Sequence, residues 1–383
     1  MALPSNLFLK LGSEQAYVHG LLVDYLISKL YLFDLLLVGN VAIFLADQKN
    51  RHQLKKIKLK FKKIDFAILF LGVIFLTYQL FVSPTATIFL SVRLSLILIF
   101  LFFTFKDKAK TKDFYRALAL SLSWQSFLAY YQFFNQKALA PYQWFGESNL
   151  QSLAGISRGT FIDQEKILPY GSTAHPNILA GTVVIFSMLL IESRHFRDEW
   201  EKIFLFNALV IALLTQSISA LLVLILFFLW LNQLNRQLIS VLAAVFFLLS
   251  PFFLKQGQNL IHNDYLSLSR RQWLNEAAIK MWQTKPIFGF GYHHFLYHLE
   301  NYSQNKELLR FVQPVHHLGL LALSEGGIIL VLIFTLLIIR YRKSYNWSKI
   351  LIISPIAALD HYLLTQILGL VSLILLLRLS RRH

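Results

Sequence analysis

The stretch Gln313–Leu330 sets two adjacent imidazoles, His316 and His317, at the mouth of a long apolar run. An imidazole titrates near neutrality, so either ring could take up or release a proton at physiological pH. Other residues of chemical interest lie elsewhere in the chain. His175 and Asn177 flank Pro176 in GSTAHPNILAG (171–181), and Arg270 and Arg271 stand in LSLSRRQWLNEAAIKMW (266–282). Asp360 and His361 sit between the last two apolar runs. Arg93 lies about eight residues inside another run, where a charge is costly and usually functional. A guanidinium is planar, always charged and bidentate toward phosphate. Each of these residues also has a plainer reading. A histidine at a helix mouth serves as an interfacial polar group, Arg270 can snorkel to headgroups, and Arg93 can pair within a helix bundle. The histidines form no two-His-plus-acid pattern at helical spacing, so no metal site and no cofactor are expected. The chain has no cysteine, which excludes disulfides and thiolate metal sites. The Gly-x-Gly of KPIFGFGYHHF (285–295) follows no strand and does not signal nucleotide binding.

The elements that must position these residues are membrane helices. Of 383 residues, 56% are hydrophobic, and runs approaching the ~20 apolar residues of a membrane-crossing helix recur along almost the whole chain. Apolar segments fall at 29–46, 64–82, 85–105, 114–134, 174–193, 203–216, 218–233, 237–254, 317–339, 348–359 and 364–378. The expected fold class is therefore all-α: a polytopic membrane helix bundle of about 11–12 transmembrane helices. Residues 1–12 contribute at most the stub of a further helix. No Pro/Gly/Ser-rich linker divides the chain, which reads as one membrane domain over 1–383. The N-terminal apolar stretch is too short, and lacks the basic start, for a cleavable signal peptide.

The net charge of +17 could suggest nucleic acid, but its distribution excludes that partner. Eight Lys/Arg lie between Lys49 and Lys63, and smaller basic clusters fall at 106–112, 194–202, 236, 340–343 and 378–382. Placing the first cluster in the cytoplasm puts every other one there too, as the positive-inside rule requires, next to anionic membrane lipid. Two long polar connections, 135–173 and 255–316, then face outward, as do the turns Thr215–Ala220 and Leu359–Gln366. Within 255–316, Leu274, Ala277, Ala278, Met281 and Trp282 repeat at helical spacing, so the large external loop should carry an amphipathic helix. Ser267 or Ser269 is its candidate cap. Pro176 suits a first helical turn, where no backbone N–H is needed.

From about Gly171 to Leu330 the chain resembles the O-antigen ligase and polymerase superfamily of bacterial membrane glycosyltransferases. Three motifs carry the resemblance: HPNILAG (175–181); RQWLNEAAIKMWQTKPIFGFG (271–291); and His316, then a polar residue, nine residues Leu318–Gly326, and Gly327. Glu325 stands where the family often has an acid. The chain departs from the pattern at His317, where Asn, Ser or Gln is common, and at Leu330, where a small residue is common. It departs again at Ser217-Ile218, where many members carry Ser-Arg. The region 171–340 is the expected ligase-like core.

The resemblance implies transfer of a glycan from a polyprenyl-diphosphate carrier to an acceptor hydroxyl, without a metal, on the outer face of the bacterial cytoplasmic membrane. It implies His316 as general base and Arg271 as a ligand of the donor diphosphate. His317 would orient the loop or contact the acceptor, with Arg270, His175 and Asn177 at the rim. Arg158, His175 or Arg93 would stand in for the arginine that Ile218 replaces. The polyprenyl tail needs an apolar groove, for which Trp273, Trp282 and the aromatic-rich helices are candidates. The acceptor can be a glycan, a lipid or a protein, which separates ligase, polymerase and protein O-glycosyltransferase. Two other classes stay open: a catalytically lapsed member, suggested by Ile218, and a lipid or polysaccharide transporter.

Overall fold

The structure is a computed structural model and describes residues 6–11, 16–18, 20–23, 25–55, 61–106, 108–140, 146–151, 155–193, 195–196, 198–232, 235–260, 266–303, 305, 308 and 312–380. Several basic positions used above, among them Lys56, Lys58, Lys60, Arg194, Arg197, Arg381 and Arg382, lie outside the described residues, as does part of the 255–316 connection.

The fold is an all-α polytopic bundle with three short two-stranded sheets among the described residues. Four helices are long and apolar enough to cross a membrane: Lys63–Val82, Pro84–Phe105, Pro176–Ser193 and Leu318–Tyr341. Leu32–Ala46, Ile218–Leu231 and Ile367–Leu379 are shorter apolar helices, and Lys108–Asn135, Asp198–Leu214 and Arg236–Leu260 complete the array. Segment 348–359 is broken into Trp347–Leu351 and Ser354–Leu359, with Pro355 at the start of the second piece, where its missing N–H costs nothing. Residues 8–11 are not a helix stub. They form a strand paired antiparallel with Ser28–Tyr31, which lies directly against the first helix.

Pro176–Ser193 is the axis of the bundle. It packs against Lys108–Asn135, Asp198–Leu214, Ile218–Leu231 and Ile367–Leu379. Nearly all of its residues are buried, including Gly181, where a side chain would run into the Tyr362 ring. Uninterrupted apolar sequence, rather than an amphipathic stripe, is what a helix buried on all sides requires. Two ion pairs join helix termini: Arg340 Nε to Asp65 Oδ1 at 2.6 Å and Lys349 Nζ to Glu192 Oε2 at 2.8 Å.

The Leu266–Thr284 helix buries Leu274, Ala277, Ala278 and Met281, four of the five residues of the expected apolar face, against Val23, Phe290, Phe295 and Leu321, while Trp282 is half-buried. The helix begins at Leu266, ahead of both Ser267 and Ser269, so neither serine stands at its N-cap.

Beside it, Leu318–Tyr341 is broken at Gly327, whose backbone (φ 63°, ψ −168°) lies in a region open essentially to glycine alone. Inside a membrane the backbone groups freed by such a break need partners. The 286–291 loop supplies them. Phe290 and Gly291 N–H donate to the carbonyls of Ser324 and Glu325 at 2.9 Å each, and the N–H groups of Ile328 and Ile329 donate to Pro286 and Ile287 at 2.8 and 3.2 Å. The approach is backbone on backbone: a Cβ at Gly327 would overlap the Ile287 carbonyl, and one at Gly289 the Glu325 carbonyl. The Gly-x-Gly is therefore a clasp on a broken helix.

Candidate functional site

The clasp fixes the Arg271 helix relative to the loop that carries His316. The Glu325 carboxylate strengthens the joint. It accepts from Tyr25 Oη at 2.7 Å, from Phe295 N–H at 3.1 Å, and from the backbone of His293 and His294. Gln79 reinforces it from a neighbouring helix, accepting from Tyr292 N–H at 2.8 Å. Glu325 thus joins three pieces of chain.

His316 and His317 are adjacent but differ in their surroundings. His317 is buried, and both of its nitrogens meet backbone. Nδ1 accepts from Leu320 N–H at 3.1 Å, so His317 is the N-cap of Leu318–Tyr341. Nε2, which must then hold the proton, donates to the Phe247 carbonyl at 2.9 Å. That carbonyl lacks its usual helical donor because Pro251 stands four residues on. The ring also packs on Phe247 with centroids 4.5 Å apart. His317 therefore staples two helices. Asn, Ser and Gln, common at this position in the resembled family, are polar residues, and Asn and Ser are strong N-caps.

His316 has the opposite character. Its Nδ1 is buried and has no hydrogen-bond partner. The ring lies 5.3 Å from that of His361, centroid to centroid, and one ligand atom each of His316, Asp360 and His361 lie within 4.8 Å of one another. Burial pushes the His316 imidazole well below its ordinary pKa, and the charge of Arg271 pushes it further. Burial likewise lowers His361 to about 4. The Asp360 carboxyl is raised by burial, an effect opposed by His175 and Arg271. Both rings are neutral at pH 7, with a lone pair to offer.

Arg271 is half-buried and makes no hydrogen bond or ion pair among the described residues. It lies in the field of Asp360, His316 and His175. An arginine held without a partner beside an unpartnered histidine is suited to receive an anion. Arg270, one residue earlier, is also half-buried.

The other expected site residues have local roles. His175 precedes the Pro176 helix; its Nδ1 accepts from Asn177 N–H at 3.2 Å, and its Nε2 meets Ser157 Oγ at 3.2 Å. Two buried amides hold the turn before it. Gln132 Oε1 accepts from Tyr170 and Gly171 N–H, both at 2.8 Å, and Gln125 Oε1 accepts from Ser172 N–H at 2.9 Å. Arg93 pairs with Asp34 through two nitrogens at 2.8 and 2.6 Å and with the Lys29 carbonyl at 2.8 Å, which is the bundle-pairing reading. Arg158 lies on an exposed hairpin and pairs with Glu165 at 3.2 Å. Ile218 is 68% exposed, at the start of its helix. Of the candidates for the missing cation, Arg93 and Arg158 are thus engaged by carboxylates.

A cavity of about 380 Å³ lies between the helices of Phe75, Leu90, Leu330 and Leu377. Its walls are almost wholly apolar. Thr365 belongs to its lining, and the Thr365 hydroxyl meets His361 Nδ1 at 2.7 Å, so this one residue stands between the cavity and the histidine cluster. Trp273 and Trp282 are not among its walls. Sequence reasoning noted Asp360 and His361 but did not join them to His316, because the three come together only through the packing of the final helices.

Residues 203–359 match the family model for O-antigen ligase. No curated protein and no solved structure matches the chain.

Proposed function

We propose that this multi-pass membrane protein, with its O-antigen ligase domain, transfers a glycan from a polyprenyl-diphosphate carrier to an acceptor hydroxyl on the outer face of the bacterial cytoplasmic membrane. The carrying observation is an Arg271 without a partner among the described residues, in the field of a likewise unpartnered His316 nitrogen, with an apolar cavity between membrane helices on the far side of Thr365. A lipid diphosphate has the matching layout, with its chain in the cavity and its charge at the arginine.

The acceptor oxygen attacks the anomeric carbon as the bond from that carbon to the diphosphate oxygen breaks. The acceptor proton passes to the neutral His316 ring, and the leaving diphosphate keeps the electron pair and gains charge facing Arg271. Preorganised cations in a site shielded from water are a large catalytic contribution, and a general base contributes about 10²–10⁴ in rate. The reaction needs no metal. Residues 1–383 act as one membrane domain, with 171–340 as the transferase core and 255–316 as its external loop. Arg270, His175 and Asn177 line the rim of the donor site, while His317 orients the loop. The acceptor is a glycan, lipid or protein hydroxyl.

The test is release of polyprenyl diphosphate from a lipid-diphosphate sugar by the purified protein. Release that falls by about 10²–10⁴ in His316→Ala supports the reading. The exposed Ile218, at a position where the resembled family often has a cation, favours a second reading, a lapsed member. Binding of donor without release in the unaltered protein would establish that reading instead.

A further inference from the structure

We infer that His316, Asp360 and His361 form a binding site for a divalent transition metal of the zinc class, and that filling it blocks transfer. The blocking half rests on the reading of His316 as base; the binding half stands without it.

Geometry comes first. One ligand atom from each residue lies within 4.8 Å of the other two. Two ligands on one tetrahedral zinc, at bond lengths of ~2.1 Å, sit roughly 3.4 Å apart. The group therefore closes on an ion by side-chain rotation of about an ångström or two, with the fourth position left open.

Each ring is set for ligation. The Thr365 hydroxyl donates to the His361 carbonyl at 3.2 Å, so its oxygen accepts from His361 Nδ1–H at 2.7 Å. That fixes the proton on Nδ1 and leaves the Nε2 lone pair as the ligand, the second-shell arrangement usual for metal-binding histidines. His316 Nδ1 is buried with no partner, a state that costs free energy which an ion would recover. The Asp360 carboxylate is buried, with a long 3.4 Å contact to Tyr362 N–H. No ion pair joins it to Arg271 among the described residues.

The ligand set selects the ion. Two imidazoles and one carboxylate favour zinc-like metals; magnesium and calcium prefer all-oxygen shells. Arg271 opposes a second positive charge nearby, and that also disfavours hard cations held mainly by charge. A neutral imidazole has one lone pair. Once it is on the metal, His316 cannot take the acceptor proton.

The experiment uses the full chain in detergent, stripped with EDTA and titrated with zinc chloride by calorimetry. One zinc per chain is expected, with no displacement by magnesium chloride. His361→Gln and Asp360→Asn should each weaken binding at least about tenfold. Thr365→Val leaves all three ligands in place and should weaken it by about ten- to a hundredfold through the lost second-shell bond. Should either ligand variant fail to run as a single species, Thr365→Val carries the test. Absence of stoichiometric zinc, or unchanged affinity in the variants, overturns the site. Turnover is then measured with and without zinc. Inhibition reversed by EDTA is expected, and full activity with zinc bound overturns the blocking half. A chain that binds zinc but releases no polyprenyl diphosphate in zinc-free buffer refutes the transferase reading and leaves the site standing.

Discussion

Replacing His316 and His317 one at a time should produce opposite phenotypes. His317→Ala removes an N-cap, worth about 1 kcal/mol. It also removes the bond to the Phe247 carbonyl. Ser250 Oγ still reaches that oxygen at 3.1 Å, so the loss is that of an ordinary hydrogen bond, about 1 kcal/mol. The ring contact with Phe247 adds about 0.5–1 kcal/mol. The total is a destabilisation of about 2–3 kcal/mol, with turnover per folded molecule falling much less than for His316. His317→Asn keeps the cap and should recover about a third of the lost stability. His316→Ala deletes a ring whose Nδ1 has no partner, so stability should change little while turnover drops by about 10²–10⁴. Thermal unfolding in detergent, followed by light scattering and tryptophan fluorescence, gives the first quantity. Release of polyprenyl diphosphate per folded protein, with donor binding measured separately, gives the second. A stable but inactive His317→Ala beside an active His316→Ala would refute the assignment of roles. Loss of donor binding in His316→Ala would make that ring a diphosphate ligand instead of the base.

Arg271→Lys should turn over donor poorly and Arg271→Ala worse, because an ammonium lacks the bidentate fork; wild-type turnover in Arg271→Ala would remove this residue from the donor site. Gly327→Ala must enter a glycine-only backbone region and push against the Ile287 carbonyl, so a loss of more than about 2 kcal/mol is expected in the same unfolding assay. Gly326→Ala, whose added methyl meets the Leu330 side chain first and not backbone, should be milder. Since the chain has no cysteine, Lys137→Cys and Asn232→Cys, at opposite ends of the bundle, can be labelled on intact cells. Lys137→Cys should react with an impermeant maleimide and Asn232→Cys should not; the reverse pattern would invert the topology.

Much of the architecture was legible in the sequence, because lipid leaves few choices. Backbone groups in a bilayer must be satisfied within the segment, so long apolar runs become helices and their ends can be read to within a few residues. The apolar face Leu274, Ala277, Ala278 and Met281 was legible for a similar reason: helical periodicity maps directly onto burial. Pro176 marked a helix start because proline lacks the one donor that a first turn does not use.

The sequence could not separate His316 from His317 by chemistry. The difference is a carbonyl left without its helical N–H donor by Pro251 on another helix, which captures one ring and leaves its neighbour unpartnered. Nor could Arg93 be resolved from its position alone. A lone charge in an apolar run looks functional until Asp34, from the first helix, meets it at 2.6 Å. The break at Gly327 looked like part of a continuous helix, since a glycine with positive φ shows itself only when another loop arrives to bond the freed backbone. The His316–Asp360–His361 group is likewise a product of packing. Local spacing carries information over a helical turn or two, while these ligands come from segments whose approach is set by the helices between them. Sequence determined that the chain enters the membrane and roughly where. Tertiary structure decided which polar side chains were consumed in holding it together and which were left to act.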